Sequence, residues 1–167
     1  FRRCFGRDPL GYRAPVGRID EKGFRVLAEE GFQYDASVFP SFWPHPRFLK
    51  FSRHPYKVNS TDLLEIPMAT TPFRLIISQS WIKLLGWPVY ALLLRIFPLP
   101  QDFVFDSHLH DFVLPTESLR LLRKRWRWLH RRNARTSLNT FEKFLSLMKK
   151  RGYRFAYVSE VAHAATK

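Results

Sequence analysis

The sequence predicts an α/β protein whose sheet is largely parallel, because strand-like and helix-like segments alternate along it. The strand-like segments are short and apolar, and they lie at 32–34, 63–68, 103–110 and 153–158. In the segments between them, apolar residues recur every three or four positions, as on one face of a helix. The 167 residues, 46% of them hydrophobic, suffice for one domain with a sizeable core.

The first helix and strand are predicted close to the amino terminus. Asp20 is a suitable N-cap for a helix, and Gly31 is a natural end for it. Residues 32–34 then alternate like a strand that ends at Asp35. Residues 39–62 contain prolines at positions 40, 44, 46 and 55, and we interpret this stretch as a long irregular loop.

The middle of the chain predicts a strand followed by an apolar helical region. Residues 63–68 form a short strand that carries Glu65, and residues 73–97 are expected to be helical in part, with a break near Gly86. The most apolar run, 84–94, has only 11 residues. A membrane-spanning helix needs about 20 residues, so we expect a buried or interfacial helix here.

The last part of the chain continues the alternation of strands and helices. Residues 103–110 are expected to form a strand with a polar exit at His110. The segment 119–129 predicts a basic helix and 138–148 an amphipathic one. A final strand is expected over 153–158, before a short terminal helix.

Residues 11–17, Gly-Tyr-Arg-Ala-Pro-Val-Gly, place Arg13 in a segment with little conformational freedom. Pro15 fixes its own φ and disfavours helical geometry at Ala14, so the backbone beside Arg13 is expected to be extended. A guanidinium held in this way suits a carboxylate, which it can bind through two parallel hydrogen bonds. On this segment alone, an ordinary solvent-exposed arginine is the simpler interpretation.

Three polar residues, Arg13, Asp35 and His110, fall at the ends of predicted strands. In a parallel α/β barrel the carboxyl ends of the strands meet at one mouth, where catalytic groups collect. His110 can exchange a proton near neutral pH, and Asp35 would orient its ring if the two met. Taken singly, a structural histidine and a turn-forming aspartate are the simpler interpretations.

Positive charge dominates the composition, with a net charge of +14. Eight basic residues and two tryptophans lie within 120–135, with no acidic residue between Glu117 and Glu142. Such a helix can rest on anionic lipid or bind phosphates, so a non-enzymatic module that binds lipid or nucleic acid stays open. A solvated basic face is the simpler interpretation. Cys4 is the only cysteine, so the chain forms no internal disulfide.

Several segments together resemble polysaccharide deacetylases, the NodB-homology domains of carbohydrate esterase family 4. Gly-Tyr-Arg-Ala-Pro-Val-Gly (11–17) resembles the family's Arg-x-Pro-x-Gly motif, and Gly-Phe-Gln-Tyr-Asp-Ala-Ser (31–37) is similar to a segment that follows it. Leu-Glu-Ile-Pro (64–67) matches a recurrent strand, Leu-His-Asp (109–111) the last motif, and Arg-Gly-Tyr-Arg-Phe (151–155) the closing region. These segments occur in the same order as in the family.

The resemblance implies a partial, distorted (β/α) barrel without its N-terminal strands, with residues 1–167 as the C-terminal portion of one catalytic domain. The full enzyme would remove acetyl groups from the N-acetylated sugars of a polysaccharide. Arg13 would orient the base aspartate, His110 would be the general acid, and Asp35 would tether His110. Substrate would contact the motif segment at Tyr12, Pro15, Val16 and Gly17, with a backbone N–H near Val16 holding the oxyanion.

The family's base aspartate and its metal ligands precede the Arg-x-Pro motif, where this chain has only twelve residues, and it begins at Phe1. We therefore expect a fragment that is inactive alone and holds no metal ligands, the divalent metal (zinc or a similar ion) being bound upstream. His108 departs from the motif, which usually has an apolar residue there. A cytoplasmic or membrane-associated location is slightly favoured over secretion, and nucleic acid is not the expected partner.

Asp-Ser-His-Leu-His (106–110) also resembles the Asp-x-His-x-His motif of amidohydrolases. Histidines two residues apart on a strand point the same way, so His108 and His110 could share a metal ion. That motif normally opens a long barrel, whereas only 57 residues follow His110. The amidohydrolase-like metal site is therefore kept as the alternative.

Overall fold

The structure is a computed structural model that describes residues 1–42, 46–59, 61–113 and 116–165. These residues form two compact units. Unit 1 comprises Phe1–Ile76, Leu99–Val104 and Ala156–Lys167, and unit 2 comprises Ile77–Pro98 and Phe105–Phe155. The assignment of the whole chain to one catalytic domain stays a prediction.

Helices and short strands alternate only as far as Glu65, and every later element of the described residues is helical, so the predicted alternation holds for the first part of the chain alone. The strands are β1 (Gly11–Tyr12), β2 (Tyr34–Asp35), β3 (Tyr56–Lys57) and β4 (Leu64–Glu65). The helices are α1 (Arg2–Phe5), α2 (Glu21–Glu29), α3 (Gln79–Leu85), α4 (Trp87–Ile96), α5 (Leu109–Phe112), α6 (Thr116–Leu121), α7 (Lys124–Arg131), α8 (Ser137–Lys150) and α9 (Val158–Ala165). Single 3-10 turns occur at Pro15–Gly17, Pro46–Lys50 and Ala134–Thr136.

Unit 1 is built on a mixed sheet with the strand order β1-β2-β4-β3. β1, β2 and β4 are parallel neighbours, whereas β3 runs antiparallel to β4. Parallel strands place their carboxyl ends at the same edge of the sheet, so the residues that follow β1, β2 and β4 become neighbours. The described residues form a mixed α/β fold, and the barrel stays a prediction.

Helix α2 begins as the sequence predicts. The side chain of Asp20 accepts a hydrogen bond from the Gly23 N–H at 2.9 Å, which satisfies one of the unpaired donors of the first turn. Phe24 and Leu27 lie buried on the inner face of the helix. They join a core cluster that also contains Val38, Phe48 and Leu63. This packing fixes the segment that leads into β2.

Unit 2 consists of helices α3 to α8. Gly86 has φ +88°, a conformation open to glycine, and it separates α3 from α4 where the sequence predicts a break. Helix α8 covers the predicted amphipathic segment, with Phe144 and Met148 buried. The basic segment forms two short helices, α6 and α7, rather than one continuous helix.

Two predicted strands were wrong. Residues 103–110 contribute only isolated bridges, from Val104 to Met68 and from Asp106 to Ser78. Helix α5 begins at Leu109, because the carboxylate of Asp111 accepts the His108 N–H at 3.0 Å in the manner of a helix cap. Residues 153–157 form no strand, and Glu160 accepts the Tyr157 N–H at 2.6 Å as α9 begins.

Candidate functional site

The two longest deacetylase-like segments are joined by hydrogen bonds at the carboxyl edge of β1 and β2. Tyr12 is in register with Asp35, so Arg13 and Ala36 are the next residues on either strand. The Nε of Arg13 donates to the carbonyl of Ala36 at 2.9 Å. Arg13 is exposed, and this bond anchors its guanidinium at the rim of the sheet.

Ser37 provides a second connection between the same segments. Its Oγ accepts the N–H of Ala14 at 2.7 Å and donates to Oδ1 of Asp35 at 2.8 Å. Its own N–H donates to Oδ2 of Asp35 at 3.0 Å. The Asp35 carboxylate therefore fixes Ser37 through two hydrogen bonds, and Ser37 in turn fixes the backbone at Ala14, beside Arg13. The extended conformation predicted for Ala14 is confirmed, with φ −68° and ψ 138°.

A second carboxyl group lies beside Asp35, inside the protein. Glu65 on β4 is in register with Asp35 on β2, and both residues are fully buried. Glu65 Oε1 accepts the Val38 N–H at 3.0 Å. No donor from the described residues reaches Glu65 Oε2, and a buried carboxylate oxygen without a donor is costly, which favours the protonated form of Glu65.

Burial is the main reason that the pKa of Glu65 lies well above its usual value. The neighbouring Asp35 acts in the same direction, whereas the Val38 N–H and, less strongly, Arg13 act against it. Glu65 is thus biased toward its protonated, neutral form. Tyr56, the cross-strand partner of Glu65, also has a raised pKa because of burial and both carboxyl groups. Asp35, Glu65 and Tyr56 are thus neighbours across three adjacent strands.

The segment after Arg13 has a strained backbone. Val16 has φ +57°, which is unusual for a β-branched residue, and its side chain is exposed. Gly17 has φ +63°, and a Cβ there would come within 2.7 Å of both the Phe39 ring and the Ser37 carbonyl. Strained residues of this kind collect at ligand-binding positions. Pro15 is exposed, and Tyr12 lines a shallow groove of about 760 Å³ that also contains Arg18.

His110 lies in unit 2, within α5 rather than at a strand end. Its half-buried ring stacks on the ring of His108 at 4.9 Å between centroids. The ring of His130 from α7 meets it edge-on at 4.8 Å. Burial lowers the pKa of His110, and the neighbouring Asp111 carboxylate opposes this shift. His110 is therefore biased toward the neutral imidazole.

A buried ion pair fixes the backbone around His110. The Lys83 Nζ lies 3.8 Å from Asp111 Oδ1, and both side chains are almost fully buried. The same ammonium donates to the carbonyls of His110 and His130, each at 3.3 Å. Ser80 Oγ donates to Asp111 Oδ1 at 2.7 Å. Burial lowers the pKa of Lys83, and Asp111 acts against that shift.

The residues of the alternative metal site are neighbours. His108, His110 and Asp111 each offer one ligand atom, and these atoms lie within 4.8 Å of one another. Two imidazoles and a carboxylate are a donor set that zinc accepts. However, both oxygens of Asp111 already accept hydrogen bonds, from Ser80 and from the His108 N–H, with Lys83 close by. A metal ion there would have to compete with these donors.

Arg13 and Asp35 are thus brought together, whereas His110 belongs to the other unit, and their meeting in one catalytic site stays a prediction. The basic segment is described only in part. Trp128 is exposed and stacks with Arg132, whose guanidinium carbon lies 5.1 Å from the ring centroid. The side chains of Arg125, Trp126 and Leu129 lie outside the described part of the chain.

Comparisons with protein-family models, curated proteins and solved structures found no match. The deacetylase-like segments are therefore interpreted from their own residues and from the bonds that join them.

Sequence reasoning assigned no role to Glu65 or Lys83. Each is a charged residue inside an apolar run, Leu-Leu-Glu-Ile at 63–66 and Trp-Ile-Lys-Leu-Leu at 81–85. A charge in such a run is costly to bury unless it is paired or neutralised. That rule indicates that Glu65 and Lys83 each need a partner, but it does not identify the partners as Asp35 and Asp111.

Proposed function

We propose that this chain is the C-terminal part of a metal-dependent polysaccharide deacetylase, which hydrolyses the amide bond of N-acetylated sugars to acetate and a free amine. One observation carries the proposal: Arg13 and Asp35 lie together at the carboxyl edge of adjacent parallel strands and are joined through Ala36 and Ser37. Two segments with independent resemblance to the same family thus meet at the edge where α/β enzymes bind ligands.

The residues take the following roles in this proposal. Arg13, anchored through Nε, orients the carboxylate that serves as base. The strained, exposed Val16 presents backbone to the sugar and helps to hold the developing oxyanion. His110 protonates the leaving amine; burial lowers its pKa, which makes the protonated ring a stronger acid, and Asp111 partly opposes that shift. The buried Glu65 and Asp35 keep the Arg13 rim in place.

The proposal requires the base aspartate and the metal ligands in a segment upstream of Phe1, because residues 1–12 contain neither Asp-Asp nor His-x-x-x-His. A divalent metal bound there would polarise the carbonyl and the attacking water. The sequence of the gene upstream of this chain tests this requirement directly. A complete reading frame that lacks both motifs would remove the enzymatic interpretation.

The activity is tested on the full-length protein with zinc and an N-acetylglucosamine oligomer, by measuring released acetate. We expect metal-dependent release, loss of release in His110→Ala, and a strong decrease of kcat in Arg13→Lys, because lysine lacks the planar fork. Arg25→Lys, an exposed change on α2, is the matched control and should retain activity. Release by His110→Ala at the wild-type rate would exclude His110 from the mechanism.

The second candidate is metal-dependent hydrolysis at His108 and His110, which the closeness of their ligand atoms favours. It predicts that zinc binds this chain without upstream residues, which calorimetric titration measures. His108→Ala should then weaken zinc binding, whereas His163→Ala, an exposed histidine in unit 1, should not. Equal zinc affinities in the two variants would rule out this candidate.

A further inference from the structure

Helix α4 consists almost entirely of apolar residues, although one of its faces is exposed. Arg95 is the only charged residue between Trp87 and Ile96. Tyr90, Ala91 and Leu94 form its inner face and are buried. Helices at the surface of soluble proteins normally carry polar residues on the outer face.

The outer face of α4 forms a continuous apolar stripe. Val89, Leu92 and Ile96 are spaced by three and four residues, so their side chains follow one another along the helix. They are 48%, 57% and 61% exposed, respectively. An exposed patch of large aliphatic side chains indicates a contact surface.

Cationic side chains flank this stripe at both ends. Near the start of α4, Arg132 donates from Nε to the carbonyl of Leu84 at 2.6 Å. Toward its other end, Arg151 hydrogen-bonds the carbonyl of Leu94, and Arg95 projects from the helix itself. All three arginines are exposed. The exposed Trp128 stacks with Arg132 and adds an aromatic side chain of the kind that favours membrane interfaces.

The unit that carries α4 also carries most of the charge of the chain. Unit 2 contains 15 lysines and arginines against four acidic residues, a net +11 of the total +14. An apolar helical face bordered by cations matches the chemistry of an anionic bilayer surface, with acyl chains below and phosphates beside them. A nucleic acid would meet the cations but would leave the aliphatic stripe in water.

We propose that unit 2 docks on anionic phospholipid membranes through α4, whose apolar stripe of Val89, Leu92 and Ile96 enters the interface while Arg95, Arg132 and Arg151 bind lipid phosphates. In this arrangement α4, whose ten residues extend about 15 Å, lies in the plane of the interface with its apolar stripe toward the acyl chains. None of the described helices has the length and apolar character required to cross a bilayer. This docking is independent of the proposed catalysis and needs no metal.

Sedimentation with sucrose-loaded vesicles tests the proposal. The chain should bind vesicles that contain phosphatidylglycerol and should not bind vesicles of phosphatidylcholine alone. Binding should weaken between about 0.1 M and about 1 M salt, where the screening length falls from about 10 Å to about 3 Å. Equal binding to both lipid compositions would contradict the role of the arginines.

Two variants with the same change of charge distinguish the contribution of the apolar stripe to vesicle binding from that of net charge. Leu92→Glu should weaken the partition coefficient at least about tenfold, because a carboxylate is costly to insert into the apolar layer. Val26→Glu, at an exposed site on α2 of unit 1, should change it much less. Both positions are exposed, so both variants should retain the wild-type circular dichroism spectrum.

Two results would overturn the proposal. The first is equal vesicle binding by Leu92→Glu and Val26→Glu, which would mean that net charge alone governs adsorption. The second is a dimer in size-exclusion chromatography that Leu92→Glu converts to a monomer without any vesicle binding by the wild type. In that case a second copy of the chain covers the stripe.

Discussion

Asp35 and Glu65 lie side by side in register on adjacent parallel strands, and both are fully buried. A pair of adjacent carboxyl groups without water cannot carry two negative charges at low cost, so one group stays neutral. Glu65 is the neutral member, because its raised pKa follows from burial and from the neighbouring Asp35.

The first prediction follows from the proton that Glu65 is inferred to keep in the folded protein. The folded protein keeps it on Glu65 above pH 4.5, the usual pKa of glutamate, whereas the unfolded chain releases it. The contribution of Glu65 to stability is therefore present below that pH and declines as the pH rises, by up to about 1.4 kcal/mol per pH unit. Glu65→Gln, which mimics the neutral acid, should remove this decline in urea unfolding between pH 4.5 and 8.

The control for this prediction is Glu142→Gln, a change at an exposed position of α8. Its stability should follow the wild-type pH profile with a nearly constant offset. If the stability difference between Glu65→Gln and the wild type does not change with pH, then Glu65 is ionised in the folded protein, and the neutral state inferred for it is wrong.

A second prediction concerns Gly17, in the 3-10 turn Pro15–Gly17 that follows Arg13. An alanine there would combine a left-handed backbone with contacts of 2.7 Å to Phe39 and Ser37. Gly31→Ala has a similar positive φ of +80° but open space around the added methyl group. We expect Gly17→Ala to lose about 2 kcal/mol more free energy of unfolding than Gly31→Ala. Equal losses would show that the packing at Gly17 is looser than described.

The third prediction addresses the buried pair of Lys83 and Asp111. Removing one partner leaves the other charge buried without compensation, so Lys83→Met should cost about 3–5 kcal/mol of stability. Adding Asp111→Asn to that variant should recover part of the loss, which a double-mutant cycle measures. The exposed pair Lys57–Asp62, at 3.1 Å, is the matched control and should give about 0–1 kcal/mol. A coupling energy of zero at Lys83–Asp111 would refute the buried pair.

The fourth prediction concerns acidification. Burial lowers the pKa of both His110 and His130, so the folded protein resists protonation that the unfolded chain accepts at about pH 6.5. Their contribution to stability is therefore complete above that pH and decreases as the pH falls through the folded-state values. His130→Gln should make unfolding less sensitive to pH below 6.5. An NMR titration of His110 with a midpoint above 6.5 would contradict the burial argument.

Local signals in the sequence predicted a large part of the fold. The N-cap at Asp20, the break at Gly86 and the helix at 138–148 are each decided by residues within a few positions, and all three agree with the structure. The strands expected at 103–110 and 153–158 were wrong because carboxylates further along, Asp111 and Glu160, cap helices there. A hydrophobic pattern does not reveal such side-chain to backbone competition.

The candidate site shows the same limit. The stiff segment around Arg13 and the end of β2 at Asp35 follow from Pro15 and from the alternation of residues 32–34. The role of Glu65 depends on a parallel pairing between strands about thirty residues apart. The role of Lys83 depends on contacts with His110 and His130, which lie 27 and 47 residues away in sequence. Only the three-dimensional arrangement provides these partners.

Lys83 couples two helices of unit 2 through one side chain. Its ammonium group hydrogen-bonds the carbonyls of His110 in α5 and of His130 in α7. Displacement of α7 alone would break the bond to His130 and leave a buried donor unpaired, which costs free energy. The two helices are therefore expected to move together rather than separately.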